Sequence, residues 1–275
     1  FLKWLTFSLF AYVGVVFTAD LDWKAVAAGA VVPRFALDGE TLMLVVAVLG
    51  TTISPYLFFW QSSQEVEEEE CDPDAAPLKK APEQAAGELK RINWETGIGM
   101  GVSNLVAFFI MLTTAATLHV AGKTDIQSTE QAAEALKPIA GEAAFLLFSL
   151  GIIGTGLLAV PVLAGSVAYA LGEVRGWKTG LECRPRDAVP FYSVIGAAIL
   201  IGLVVDHLPI DPMKALIWSA VLNGVIVVPI IAAMMIVASR RDIMGAFTAT
   251  SWQRWLGWLT FAVMGAAAIA MFMLM

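Results

Sequence analysis

The sequence predicts an all-α, polytopic membrane protein with about seven transmembrane helices. Of its 275 residues, 58% are hydrophobic and only 15% are charged, and the mean hydropathy is +0.74. This composition lies outside the range of soluble domains. Runs such as 42–49 and 262–275 are apolar on every face, whereas the strands of a membrane barrel alternate apolar and polar residues. Helices are therefore the expected spanning elements.

The apolar runs divide the chain into seven predicted helices of a single membrane domain, residues 1–275. They cover residues 4–19, 42–61, 97–120, 143–172, 188–205, 215–238 and 255–275. Residues 64–95, rich in Glu, Ala and Pro, form the longest connection and are predicted to be an acidic cytoplasmic loop. Because Phe1 is not an initiator Met and the first span begins almost at once, we expect the chain to be truncated at its N-terminus.

The orientation of the helices is predicted from the distribution of Lys and Arg. Twelve of the 17 basic residues fall in the connections on one side of the predicted spans. These are Lys3, Lys79, Lys80, Lys90, Arg91, Arg175, Lys178, Arg184, Arg186, Arg240, Arg241 and Arg254. Since cytoplasmic loops carry the excess of basic residues, the N-terminal end is expected in the cytoplasm and the C-terminal end outside a plasma or inner membrane.

The second predicted span contains the strongest signal for a functional site. No Asp, Glu, Lys or Arg lies within any predicted span, so polar groups at membrane depth are the candidates. The middle of this span reads Gly50, Thr51, Thr52, Ile53, Ser54, Pro55 and Tyr56. Pro55 removes one helical hydrogen bond and frees carbonyls near Thr51, which predicts a break at 51–55. Freed carbonyls and hydroxyls are oxygen ligands for cations; the alternative is a simple proline kink.

The sixth predicted span carries a polar residue, Asn223, near its middle. An Asn at this depth either bonds to a neighbouring helix or lines a substrate path. The residues alone leave both interpretations open.

Three segments resemble one family. Residues 50–64 (GTTISPYLFFWQSSQ), 96–104 and 156–165 are similar to the sixth, seventh and eighth helices of the Nramp (natural resistance-associated macrophage protein) family of divalent metal ion transporters. The resemblance covers essentially the whole chain. It implies a LeuT-type inverted-repeat fold, of which this chain is the C-terminal portion, and secondary transport by alternating access.

Two positions depart from the family pattern. Where the family's sixth helix usually has Met-Pro-His, this chain has Ser54, Pro55 and Tyr56. This is similar to the Nramp-related branch that lacks the Met and the His. Oxygen ligands without a thioether suit harder ions, so Mg²⁺ or Mn²⁺ is the expected substrate. A Tyr phenol titrates near ~10 in model peptides and does not exchange protons at neutral pH as His does, which argues against the family's proton coupling.

The resulting site hypothesis has three parts. The Thr51 carbonyl and Ser54 face the metal, Gly50 and Pro55 shape the break, and Tyr56 and Asn223 line the substrate path.

Two other functions stay open: a LeuT-type carrier of a small organic solute, and a non-transporting membrane subunit. We expect no enzyme activity, because H-E-x-x-H, G-x-S-x-G and an intramembrane acid pair are absent from the sequence. Neither a cofactor nor a nucleic-acid partner is expected; the bilayer surrounds the chain.

Overall fold

A computed structural model describes residues 7–18, 21–32, 38–123, 126, 128–209 and 211–274. Within these ranges all regular structure is helical, which confirms the predicted all-α class. The α-helices are α1 (Ala11–Thr18), α2 (Trp23–Val31), α3 (Gly39–Thr52), α4 (Pro55–Cys71), α5 (Ala85–Thr114), α6 (Thr129–Ala133), α7 (Lys137–Ala140), α8 (Ala144–Arg175), α9 (Val189–Asp206), α10 (Pro212–Ser239), α11 (Arg241–Met244) and α12 (Ser251–Leu274). A 3-10 turn, Phe7–Phe10, precedes α1, and a π-helical turn, Ala115–His119, continues α5.

Five helical stretches in the described part of the chain are long and apolar enough to cross a membrane. They are Gly39–Cys71, Ala85–His119, Gly141–Arg175, Pro212–Ser239 and Ser251–Leu274, and two shorter apolar helices cover Phe7–Thr18 and Val189–Val205. At about 1.5 Å per residue, even the shortest of the five exceeds the roughly 30 Å hydrocarbon core of a bilayer. The protein is therefore an integral membrane protein. The predicted span ends at residues 4–6, 19 and 275 lie outside the described residues.

Two helices extend well beyond the apolar runs from which the spans were predicted. Helix α5 begins at Ala85 rather than at residue 97, and α4 continues to Cys71, through residues assigned to the acidic loop. Polar pairs one helical turn apart stabilise these extensions. Arg91 Nη1 lies 3.2 Å from Glu95 Oε2, and Gln61 Nε2 donates to Glu65 Oε1 at 2.8 Å. Hydropathy marks the part of a helix that lipid surrounds, not the whole helix.

Aspartates define where the apolar helices begin. The carboxylate of Asp38 accepts from Thr41 N at 2.8 Å at the start of α3. Asp211 does the same for Met213 N at 2.9 Å, directly before Pro212 at the first position of α10. Such caps satisfy amide groups that have no partner inside the helix.

The described helices form two compact groups, and each has its own core. The first group comprises residues 1–34 and 89–162. Its buried core residues are Tyr12, Val15, Leu118, Ala135, Leu136 and Ala144. The buried Thr113 hydroxyl donates to the Tyr12 carbonyl at 2.8 Å and so joins α5 to α1.

The second group comprises residues 35–88 and 163–275 and is built on three mutually packed helices, α3, α10 and α12. Its largest core consists of Leu42, Val46, Ala47, Ala220, Val221 and Met271, and a second consists of Val227, Ile231 and Met264. A third core joins the end of α8 to the start of α9, where the rings of Tyr169 and Phe191 pack edge to face at 4.9 Å. That the whole of 1–275 is one domain stays a prediction.

Candidate functional site

The apolar helix that begins at Gly39 is interrupted between Thr52 and Pro55. Ile53 and Ser54 leave helical geometry, with φ/ψ of −113°/76° and −89°/124°. The segment lies inside the predicted break, 51–55. Two effects of Pro55 explain it: the ring pushes the preceding residue towards extended geometry, and a proline with no N–H fits the first position of a new helix. Helix α3 therefore ends at Thr52, and α4 begins at Pro55.

The break leaves backbone carbonyls that the Ser54 hydroxyl partly satisfies. The last backbone bond of α3 runs from Ile53 N to Leu49 O at 2.9 Å. Beyond it, Ser54 Oγ lies 3.1 Å from Gly50 O and 3.0 Å from Thr51 O. One hydroxyl has a single proton, so it donates to one of these carbonyls at a time, while each carbonyl has two lone pairs. The pair of carbonyls therefore keeps acceptor capacity for a further ligand.

The two predicted metal ligands differ in exposure. Ser54 is only 2% exposed, whereas Thr51 is exposed. The hydroxyl groups of Thr51 and Thr52 both donate back to the Val48 carbonyl, at 2.8 and 3.0 Å. Both threonine hydroxyls are therefore bonded within α3. The Thr51 atom that lies near Ser54 Oγ is its main-chain oxygen, at 3.0 Å. The structure brings the Thr51 carbonyl and Ser54 together.

Gly50 lies where α3 and α10 make backbone contact. A Cβ atom added to Gly50 would lie 2.8 Å from Gly224 Cα and closer still to the Ala220 carbonyl oxygen. A Cβ on Gly224 would lie 2.8 Å from Val46 Cγ1. Only glycine at both positions permits this approach, and it fixes the break against α10. Gly224 was not among the predicted site residues. Its position directly after the polar Asn223 is the sequence feature that could have indicated it.

The two predicted path residues, Tyr56 and Asn223, are half-buried. Asn223 precedes Gly224, so it lies on α10 at the level where α10 contacts the last turns of α3. Tyr56 is the second residue of α4. Neither side chain forms a hydrogen bond to another residue in the part of the chain that the structure describes. Their polar atoms are thus available to a solute or to water.

The site is electrically neutral. Among the described residues there is no group of three or more His, Cys, Asp and Glu side chains that could hold a metal ion. The break offers main-chain and hydroxyl oxygens only. A dehydrated divalent cation at membrane depth needs anionic compensation, which these oxygens alone do not supply.

A second polar group, which the sequence did not reveal, anchors the end of α4. We call Ser63, Gln64, Glu67, Tyr169 and Glu173 the Glu67 cluster. Glu67 Oε2 accepts from the Tyr169 hydroxyl, and Glu67 Oε1 accepts from the main-chain N–H of Glu182 at 2.8 Å. Ser63 Oγ donates to Glu173 Oε1 at 2.7 Å. The cluster binds α4 to α8 and to the segment after it, although the acidic run suggested a solvated loop.

Sequence similarity to known proteins identifies the family of this chain. The sequence profile of the family described as Natural resistance-associated macrophage protein-like (Nramp) matches residues 1–274. The chain belongs to the Nramp family. Similar curated proteins include the "Divalent metal cation transporter MntH" of Klebsiella pneumoniae (strain 342), which is 27% identical over 262 residues, covering 93% of this chain and 57% of the relative.

Relatives in other bacteria carry the same name at similar identity. MntH of Pectobacterium carotovorum subsp. carotovorum (strain PC1) is 24% identical over 257 residues, or 93% of this chain and 56% of the relative. MntH of Yersinia pestis (strain Pestoides F) is 26% identical over 255 residues, or 92% of this chain and 56% of the relative. The chain thus spans little more than half the length of the curated relatives it matches.

Proposed function

We propose that this Nramp chain forms part of a secondary transporter that moves a divalent metal cation across the membrane by alternating access. The observation that carries the proposal is the helix break, where the Thr51 carbonyl and Ser54 Oγ lie 3.0 Å apart in an otherwise apolar helix. Secondary transporters build ion sites from such discontinuous helices. The relatives are named divalent metal cation transporters, which supports a divalent metal as the substrate class.

The helix dipole favours a cation at this point. Helix α3 has 14 residues and ends at Thr52. Its last carbonyls carry the partial negative charge of a helix C-terminus, about half an elementary charge. When a cation arrives, the Thr51 oxygen can use its second lone pair, while the Ser54 hydroxyl donates to the Gly50 carbonyl and turns an oxygen lone pair towards the ion. Both groups then serve as oxygen ligands.

The chemistry of these ligands favours a hard ion. Carbonyl, hydroxyl and water oxygens suit Mg²⁺ and Mn²⁺, whereas a thioether favours softer transition metals. A methionine thioether at position 54 would select against Mg²⁺, whereas the Ser54 hydroxyl does not. Because Mg²⁺ gives up its water reluctantly, we expect it to keep several waters at the break. Tyr56 and Asn223, whose side chains are half-buried, would then bond to these waters rather than to the ion.

Tyr56 also bears on the coupling of transport. Position 56 has no imidazole, the side chain suited to proton exchange near neutral pH. We therefore propose that proton coupling through this position is absent. The excess of Lys and Arg in one set of connections supports a cytoplasmic N-terminal end and an external C-terminal end in a plasma or inner membrane.

Uptake into proteoliposomes tests the proposal, using the protein with any residues that its gene encodes before Phe1. We expect saturable uptake of Mg²⁺ and Mn²⁺, reduced at least tenfold by Ser54→Ala, because a ligand that is 2% exposed is lost. The matched control is Ser62→Ala, since Ser62 is an exposed serine of α4 that donates to the Phe59 carbonyl. Absence of uptake of either ion would refute the proposal and leave an organic-solute carrier or a non-transporting subunit.

A further inference from the structure

A polar groove lies at the start of α12, within the second helical group. It has a volume of about 640 Å³ and is separate from the helix break. Its lining residues are Ser239, Ser251, Arg254, Trp255, Trp258 and Leu259. Ser239 is the last residue of α10 and Ser251 is the first of α12, so the groove opens where both helices reach the membrane surface. It combines one cationic group and two hydroxyls with two aromatic walls.

Arg254 is the cationic group of the groove. Its Nη2 atom lies 3.5 Å from Ser251 Oγ, and within the described part of the chain it has no carboxylate partner. Arg240 and Arg91 differ in this respect. Arg240 forms an ion pair with Asp242, and Arg91 lies 3.2 Å from Glu95. The groove therefore presents a guanidinium that has no carboxylate partner among the described residues, beside the Ser251 hydroxyl. A guanidinium binds phosphate through two parallel N–H groups.

The walls of the groove are the tryptophans of an interfacial belt. Trp255 is 57% exposed and Trp258 is 42% exposed. Trp252 stacks on Trp255 with ring centroids 5.4 Å apart and an interplanar angle of 13°. Tryptophan is enriched at the level of lipid headgroups because its ring is amphipathic. A ligand of this groove therefore has a phosphate-like anion at one end and apolar chains at the other.

We propose that this groove binds the headgroup of an anionic phospholipid. Arg254 binds the phosphate, the Ser251 hydroxyl donates to one of its oxygens, and Trp255 and Trp258 pack against the glycerol and the first methylenes of the chains. The charge selects an anionic lipid over a zwitterionic one, whose choline would repel the guanidinium. On the orientation proposed above, the groove faces the cytoplasmic leaflet, which carries the anionic lipids.

Tryptophan quenching by brominated lipids tests this directly. The full chain is reconstituted in phosphatidylcholine, and brominated phosphatidylglycerol or brominated phosphatidylcholine is added at increasing mole fraction. Quenching that is lost in the Trp255→Phe/Trp258→Phe variant reports on the groove. We expect half-maximal groove quenching at a mole fraction about fivefold lower for brominated phosphatidylglycerol, as for one basic residue at an anionic surface.

Three variants assign the effect to Arg254. Arg254→Gln is expected to reduce the fivefold preference to less than twofold, and Arg254→Lys to retain most of it because the charge remains. Arg240→Gln/Asp242→Asn is the matched control: this ion pair does not line the groove, and removing both of its charges leaves the net charge unchanged. It is expected to leave the preference unchanged. The measurement does not depend on flux, so its failure and a failure of transport are distinguishable.

Three outcomes would overturn the proposal. Equal quenching by the two brominated lipids would mean that the groove does not select for charge. No groove quenching by either lipid would mean that protein, not lipid, covers Trp255 and Trp258. Full displacement of brominated phosphatidylglycerol by inorganic phosphate would identify a site for a free anion.

Discussion

Gly50→Ala is expected to destabilise the protein, because it pushes two helix backbones apart. The added Cβ would lie 2.8 Å from Gly224 Cα and closer still to the Ala220 carbonyl oxygen. Both contacts are with main-chain atoms, so no side chain can rotate away. Overpacking of this kind costs about 1–3 kcal/mol, and the higher helix propensity of Ala returns at most ~1 kcal/mol. We expect a net loss of about 1–2 kcal/mol.

Gly97→Ala is the matched control. Gly97 lies inside α5, and no atom lies within 4 Å of the position that its Cβ would occupy. Its substitution should leave stability unchanged or raise it by up to ~1 kcal/mol. The assay is equilibrium unfolding in mixed micelles of a mild detergent and dodecyl sulfate, followed by tryptophan fluorescence. Equal effects of the two substitutions would refute the close contact of α3 with α10.

Two further predictions concern groups outside the break. Tyr169→Phe should destabilise the end of α4 by about 1–3 kcal/mol, because Glu67 loses its buried hydroxyl donor. The expected result is faster amide hydrogen exchange at the end of α4, with Tyr56→Phe as the near-neutral control. Unchanged exchange in Tyr169→Phe would contradict this prediction. The ion pair with Arg240 lowers the pKa of Asp242. The ionised carboxylate therefore favours the folded state above its unfolded pKa, and this contribution disappears as the pH falls through the lower folded value. In Arg240→Gln, the pKa of Asp242 should rise towards that of an unpaired aspartate, as measured by carboxyl-carbon NMR. An unshifted titration would show that the pair is not formed in solution.

The sequence predicted those features that depend on local chemistry. A proline without an N–H, preceded by Ser54 and by a glycine, indicates a break from the chain alone, and the structure interrupts the helix at Ile53 and Ser54. The helical class followed from the apolar runs. Helix ends were less predictable, because the polar residues before 97 continue α5 without entering lipid.

Features that depend on tertiary contacts could not be predicted. Gly224 is an ordinary glycine in an apolar run until α3 packs against it. Glu67 lies in an acidic run, and its partner Tyr169 is 102 residues away. No spacing rule connects such positions. The donor at Tyr169 becomes evident only when α4 and α8 are seen side by side.

Ion selectivity tests whether the helix break binds a hard cation through oxygen ligands, as we propose. Uptake of Mg²⁺ and of Cd²⁺, a soft ion, is measured in proteoliposomes for the unchanged protein and for Ser54→Met. We expect that the unchanged protein prefers Mg²⁺ and that the thioether lowers the ratio of Mg²⁺ to Cd²⁺ uptake at least tenfold. An unchanged ratio, with transport intact, would show that Ser54 does not contact the ion, and the proposed site would be wrong.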